Sequence, residues 1–162
     1  MKKMGIVGIL SLLIFLQGCV GGLEQNTMRS ANKNIIEHNK PYEYILVKET
    51  SETRFYSDVK LRGEIGRSIT KNSKILEDDV MGAIFENCGY TFFDLLEIRI
   101  VPSVFPVFQE VWVFKDDKSE MEDKTTALGI VMEVLPNNSG TNFFLRGECP
   151  AAPRTIIFQK PF

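Results

Sequence analysis

The sequence predicts a β-rich α+β domain. An antiparallel sheet of about seven strands folds over itself as a sandwich or partial barrel, with one packed helix at residues 77–88. Three observations carry this. From Tyr42 onward, apolar and polar residues alternate with a period of two over several segments, the pattern of strands with one wet face. A single later stretch places apolar residues at helical spacing and is closed by a glycine. No alternation of strand and helix units of the kind that builds a parallel sheet is present.

The elements follow in order. Tyr42 to Lys48 reads as a strand, and its consecutive Ile45-Leu46-Val47 predicts burial on both faces. Next comes the cleanest alternation in the chain. Phe55, Val59, Leu61 and Ile65 share one parity; Arg54, Tyr56, Asp58, Lys60, Arg62 and Glu64 share the other. Gly63 and Gly66 mark a bulge or the end of that strand. In the helix at 77–88, Val80, Ile84 and Cys88 with Met81 and Phe85 make an apolar stripe, Asp78 or Asp79 serves its acidic start, and Gly89 sits at the C-cap. Leu95 to Val101 alternates Leu96, Ile98 and Ile100 against Glu97 and Arg99. Val107 to Lys115 carries Phe108, Trp112 and Phe114 on one face and Val107, Val111 and Val113 on the other. Leu128, Ile130, Met132 and Val134 define a further strand, Pro136-Asn137-Asn138-Ser139-Gly140 a turn, and Asn142 to Arg146 and Thr155 to Lys160 the last two strands.

The stretch before this domain has a different character. Lys2 and Lys3 precede an apolar run from Ile6 to Leu16, followed by Leu16-Gln17-Gly18-Cys19. The run of 11 residues is short for a spanning helix, which needs about 20, and has the layout of an export signal. These residues resemble the lipobox of bacterial lipoproteins, with Gln17 standing where Ala, Ser or Thr is more usual. The resemblance covers about 22 residues. It implies cleavage after Gly18, a diacylglycerol thioether on Cys19 and acylation of the new amino group (palmitate or a similar chain). Acyl chains of this kind hold a protein firmly to a membrane. Val20 rather than Asp follows Cys19, and in Gram-negative lipoproteins that implies the outer membrane, facing the periplasm or the surface. Residues 1–18 are thus expected to be a signal peptide, 19–41 a lipidated N-terminus and flexible polar tether, and 42–162 a single globular domain.

Composition narrows the partners. Of 19 basic residues two lie in the signal, against 21 acidic residues all beyond it, so the expected mature chain carries −4 with His neutral. That argues against nucleic acid and against electrostatic docking on an anionic membrane. Cys88 and Cys149 remain as a pair. They are either bridged, which export favours, or two separate buried thiols.

Catalytic and metal chemistries find little to stand on. The one histidine, His38, falls in the tether, so a His-based triad or zinc site within the domain is not expected. Ser68-Ile69-Thr70-Lys71 matches the S-x-x-K nucleophile pattern, but no K-T-G follows. The acidic loop Asp116, Asp117, Glu120, Glu122 and Asp123 lacks EF-hand spacing. No cofactor is expected. The feature that draws attention is the apolar connection Pro102 to Phe108, where Val104, Phe105, Val107 and Phe108 cannot all face inward from a short hairpin. The expectation is a non-enzymatic, lipid-anchored envelope protein that binds a protein partner through these four residues, as an assembly accessory, immunity or exclusion factor. The alternatives are a carrier or sensor of an apolar ligand, within a β-rich shell, and a cell-wall enzyme of an unfamiliar kind.

Overall fold

The computed structural model describes residues 7–160, with side chains described from Gly22 onward except that of Asn138. Among the described residues the elements are α1 (Val7–Glu37), β1 (Tyr42–Glu49), β2 (Thr53–Leu61), β3 (Glu64–Ile65), α2 (Lys74–Cys88), β4 (Leu95–Val101), β5 (Val107–Lys115), β6 (Thr125–Val134), β7 (Thr141–Arg146) and β8 (Thr155–Gln159). Short 3-10 turns occupy Thr70–Asn72 and Pro136–Asn138. The strands form two sheets, one ordered β1-β2-β8 and one ordered β3-β4-β5-β6-β7, with every pairing antiparallel. The fold is a β-rich α+β sandwich and not a closed barrel, as the alternating segments predict.

The larger sheet has two apolar faces. On one, Trp112 and Phe114 of β5, Leu128, Ile130 and Met132 of β6 and Ile98 of β4 pack against Val80, Met81 and Ile84 of α2. Ring stacking adds to this core: Tyr90 lies over Phe114 with centroids 5.0 Å apart. On the other face, Val101, Val111, Val113 and Ala127 receive Tyr42 and Leu61 from the smaller sheet. The two sheets diverge from that corner. Gly63, at φ 77°, turns the chain from β2 into β3, and a Cβ there would stand 2.6 Å from the Ile100 carbonyl oxygen. The alternation over residues 54–65 is therefore one continuous pattern in sequence but two strands in two sheets.

α2 begins at Lys74, three residues before the expected 77, because the Ser73 hydroxyl caps it by accepting the Leu76 N–H at 3.4 Å. Asp78 and Asp79 are not its start; Asp78 pairs back to Lys74 one turn earlier. The C-terminus is as expected, with Gly89 at φ 80° and its N–H on the Phe85 carbonyl at 2.8 Å. Phe85 is exposed rather than part of the buried stripe. Met81, one turn earlier on the same face, is buried, so the cover over that flank of the helix ends between Met81 and Phe85.

Three further expectations need correction. The segment 22–37 of the tether is helical, and it docks on the smaller sheet. Met28 and Ile35 are buried. Glu24 accepts hydrogen bonds from Arg54 at 3.0 Å and Tyr56 at 2.7 Å, and Asn32 brackets Tyr44, accepting its N–H at 2.8 Å and donating to its carbonyl at 3.2 Å. Glu24, Met28, Asn32 and Ile35 share one helical face, half of it polar, so no apolar stripe announced it. Secondly, Ile45, Leu46 and Val47 are exposed, not buried on both faces. β1 is the edge of a three-stranded sheet, and register shifts interrupt it between Glu43 and Tyr44 and between Leu46 and Lys48. Thirdly, Leu96 is exposed, because the β4–β5 register shifts between Leu95 and Glu97 and leaves Leu96 as the extra residue.

Candidate functional site

The apolar connection of the sequence reading becomes the β4–β5 hairpin turn. Val107 N–H closes on the Val104 carbonyl at 3.0 Å, and Pro106 in turn accepts the N–H of Val134 at 3.0 Å, which ties the turn to β6. Val104 is 83% exposed and Phe105 72%. Phe108 instead packs on the main core, and Val107 is half-buried in β5. Of the four residues expected to bind a partner, two stand at the surface and two help to hold the turn. The Phe105 and Phe108 rings meet edge to face at 6.3 Å, so the exposed ring rests on a half-buried one. The result is an ordered apolar tip. Sequence reasoning missed a second exposed apolar run, Ile45-Leu46-Val47, on edge strand β1.

Cys88 and Cys149 are bridged, with Cα atoms 5.6 Å apart. The bridge ties the end of α2 to segment 149–153. That segment is fixed on β6 by Ala151 N–H to Thr126 Oγ1 at 2.8 Å and on the β5–β6 loop by Ser119 Oγ to the Ala151 carbonyl at 3.2 Å. Cys19 falls within α1, and its side chain lies outside the described residues, as do Lys2, Lys3 and Ile6 of the expected signal. Among the described residues no helix is long and apolar enough to cross a membrane.

The S-x-x-K stretch has an occupant. Ser68 is buried, and its hydroxyl donates to the Glu110 carboxylate, with 3.1 Å to each oxygen. The same carboxylate accepts the Ile69 N–H at 2.5 Å, the Thr70 N–H at 3.2 Å, the Thr70 hydroxyl at 2.8 Å and the Trp112 indole N–H at 2.8 Å. Ser68 Oγ also accepts the Lys71 N–H at 3.1 Å. The loop before α2 is thereby wrapped around one buried acid. Glu110 itself went unremarked in the sequence, although it shares the parity of Phe108, Trp112 and Phe114, where a carboxylate marks a buried acceptor.

The acidic loop resolves similarly. Asp116 is buried and accepts from Tyr90 at 2.5 Å, Thr126 at 2.7 Å and the Lys118 N–H at 3.0 Å. Burial acts to raise its carboxyl, but these donors outweigh it and hold it below the ordinary value. Asp123 caps Thr125 through its N–H and hydroxyl. His38 is exposed, with Nδ1 2.9 Å from the Asn34 carbonyl.

Comparison with other proteins adds no assignment. No protein-family model, curated protein or solved structure matches this chain.

Proposed function

We propose that this is a lipid-anchored envelope protein whose domain captures a protein partner with the β4–β5 turn. The observation that carries the reading is Phe105: a large aromatic ring, 72% exposed, at the tip of a hydrogen-bonded turn and resting on Phe108. An isolated exposed Leu or Val needs no explanation. An ordered aromatic beside a second exposed apolar residue fits the pre-organised anchors that dominate protein interfaces. The anchor part of the proposal rests on the lipobox resemblance at Leu16-Gln17-Gly18-Cys19, and the outer membrane is its expected site.

Two measurements test it. Growth with labelled palmitate is expected to label the wild type and not Cys19→Ser; an unlabelled wild type would remove the anchor. The double variant Val104→Ser, Phe105→Ser is expected to keep its thermal midpoint, since both side chains are exposed, while partner affinity falls by about thirtyfold or more, the loss typical of an interface anchor. Unchanged partner affinity would remove the turn from the account.

A further inference from the structure

A cleft of about 350 Å³ opens where the α1–β1 connection, β2 and residues 146–154 meet. Its apolar lining includes Pro41, Tyr42 and Ala151, and its charged lining is Lys40, Arg146 and Arg154 against Asp58 and Glu148, with His38 beside them. Both carboxylates are engaged. Glu148 pairs with the Arg154 guanidinium, and Asp58 Oδ1 accepts the Arg154 N–H at 2.6 Å. Among the described residues, neither Lys40 nor Arg146 has a carboxylate within ion-pair distance. Arg146 spends one donor on the Leu145 carbonyl and stacks over Phe144 at 5.6 Å, which leaves most of its fork free.

The cleft is built rather than incidental. The Tyr42 hydroxyl accepts the Ala127 N–H at 2.8 Å, so its ring is fixed against the larger sheet. The Ala151 segment is held by the Cys88–Cys149 bridge, by Thr126 and by Ser119. A pre-formed apolar pocket with a few charged groups at its mouth is the usual form of a small-molecule site. We propose that this cleft binds a small amphipathic carboxylate, its apolar body against Pro41, Tyr42 and Ala151 and its charge paired with Lys40 and Arg146. Lys40, Arg146 and Arg154 against Asp58 and Glu148 leave one formal positive charge, which suits a monoanion better than a phosphate dianion. At protein packing density the volume accommodates about 10 to 15 non-hydrogen atoms. This site is separate in its residues from the β4–β5 turn and does not depend on the partner-binding proposal.

Amide NMR of the full chain, titrated with octanoate, tests it. Saturable shifts at Gly147, Ala151 and Ala152 are expected at sub-millimolar to millimolar octanoate. 1-Octanol, which keeps the body and loses the charge, and inorganic phosphate, which keeps charge alone, are each expected to bind about tenfold more weakly or worse. Lys40→Ala and Arg146→Ala are each expected to weaken octanoate about fivefold or more, with the Trp112 indole resonance unmoved as the check on folding. No saturable shift with octanoate, equal binding of 1-octanol or phosphate, or octanoate binding untouched by both substitutions would each overturn the proposal.

Discussion

The Ser68 hydroxyl and the Glu110 carboxylate lie 3.1 Å apart in the interior, 42 residues apart in sequence. Glu110 is 1% exposed, and among the described residues no buried side-chain polar atom lacks a partner. A buried carboxylate is costly unless its lone pairs are filled, and here two backbone N–H groups, two hydroxyls and an indole fill them. Removing the acceptor orphans all of these donors together. Glu110→Ala is expected to cost about 3–5 kcal/mol in denaturant unfolding. Glu110→Gln, which keeps the shape but turns one acceptor into a donor facing donors, is expected to cost about 2–3 kcal/mol. A loss below about 1 kcal/mol for both would mean that water replaces the carboxylate without penalty.

The sequence made parts of this fold legible and hid others. β4 and β5 have in sequence the boundaries observed, Leu95–Val101 and Val107–Lys115, because Pro102 and Pro106 close their facing ends. The bridge between Cys88 and Cys149 is one of the two states the sequence left open for that pair. Docking of α1 did not, because Glu24 and Asn32 hold it by hydrogen bonds, and a hydrogen bond to a distant strand leaves no periodicity. The exposure of Ile45–Val47 was hidden for another reason: an apolar run states a preference for burial, whereas strand order decides whether burial is offered. At the apolar connection, composition indicated that some residues would be exposed. It did not indicate that Phe108 would turn inward beneath Phe105.

Gly129 allows a close approach that no other residue fits. A Cβ at that position would stand 2.5 Å from the backbone carbonyl oxygen of Asn39, in the connection between α1 and β1. Backbone cannot swing aside as a side chain can. Gly129→Ala is expected to destabilise by about 1–3 kcal/mol, and to lower protection of the Tyr44 and Arg62 amides in hydrogen exchange, since those residues hold the same connection. Stability equal to the wild type would show that the connection sits elsewhere in solution.

The Cys88–Cys149 bridge closes a loop with a sequence separation of 61. In the chain-entropy account such a cross-link contributes about 4 kcal/mol. The double variant Cys88→Ala, Cys149→Ala is expected to lower unfolding stability by about 2–4 kcal/mol in urea, with the wild type in reductant moving to the same midpoint. A midpoint insensitive to reductant would contradict the bridge.

All four tyrosines hold their protons more tightly than the ordinary value of 10.0. Burial pushes Tyr42 up to about 12. Burial followed by the hydrogen bond to Asp116 raises Tyr90, burial raises Tyr44, and the bond to Glu24 followed by burial raises Tyr56. Above pH 10 the unfolded chain therefore carries fewer phenolic protons than the folded one, so stability falls as pH rises. The expected result is a progressive loss of stability from about pH 10 upward, with tyrosinate absorbance of the native protein appearing later than that of the denatured chain. Coincident native and denatured titrations would contradict the burial of Tyr42 and Tyr90.

The central claim, a membrane-held domain that captures a partner with an exposed aromatic, is tested most directly from position 105 itself. A photo-reactive phenylalanine analogue at that position would be activated in intact cells, in wild type and in Cys19→Ser, with the same analogue at exposed Phe85 as control. The account expects one dominant protein adduct from position 105 that is absent from position 85, reduced by Val104→Ser and lost with Cys19→Ser. No adduct from position 105, or identical adducts from both positions with and without Cys19, would contradict it.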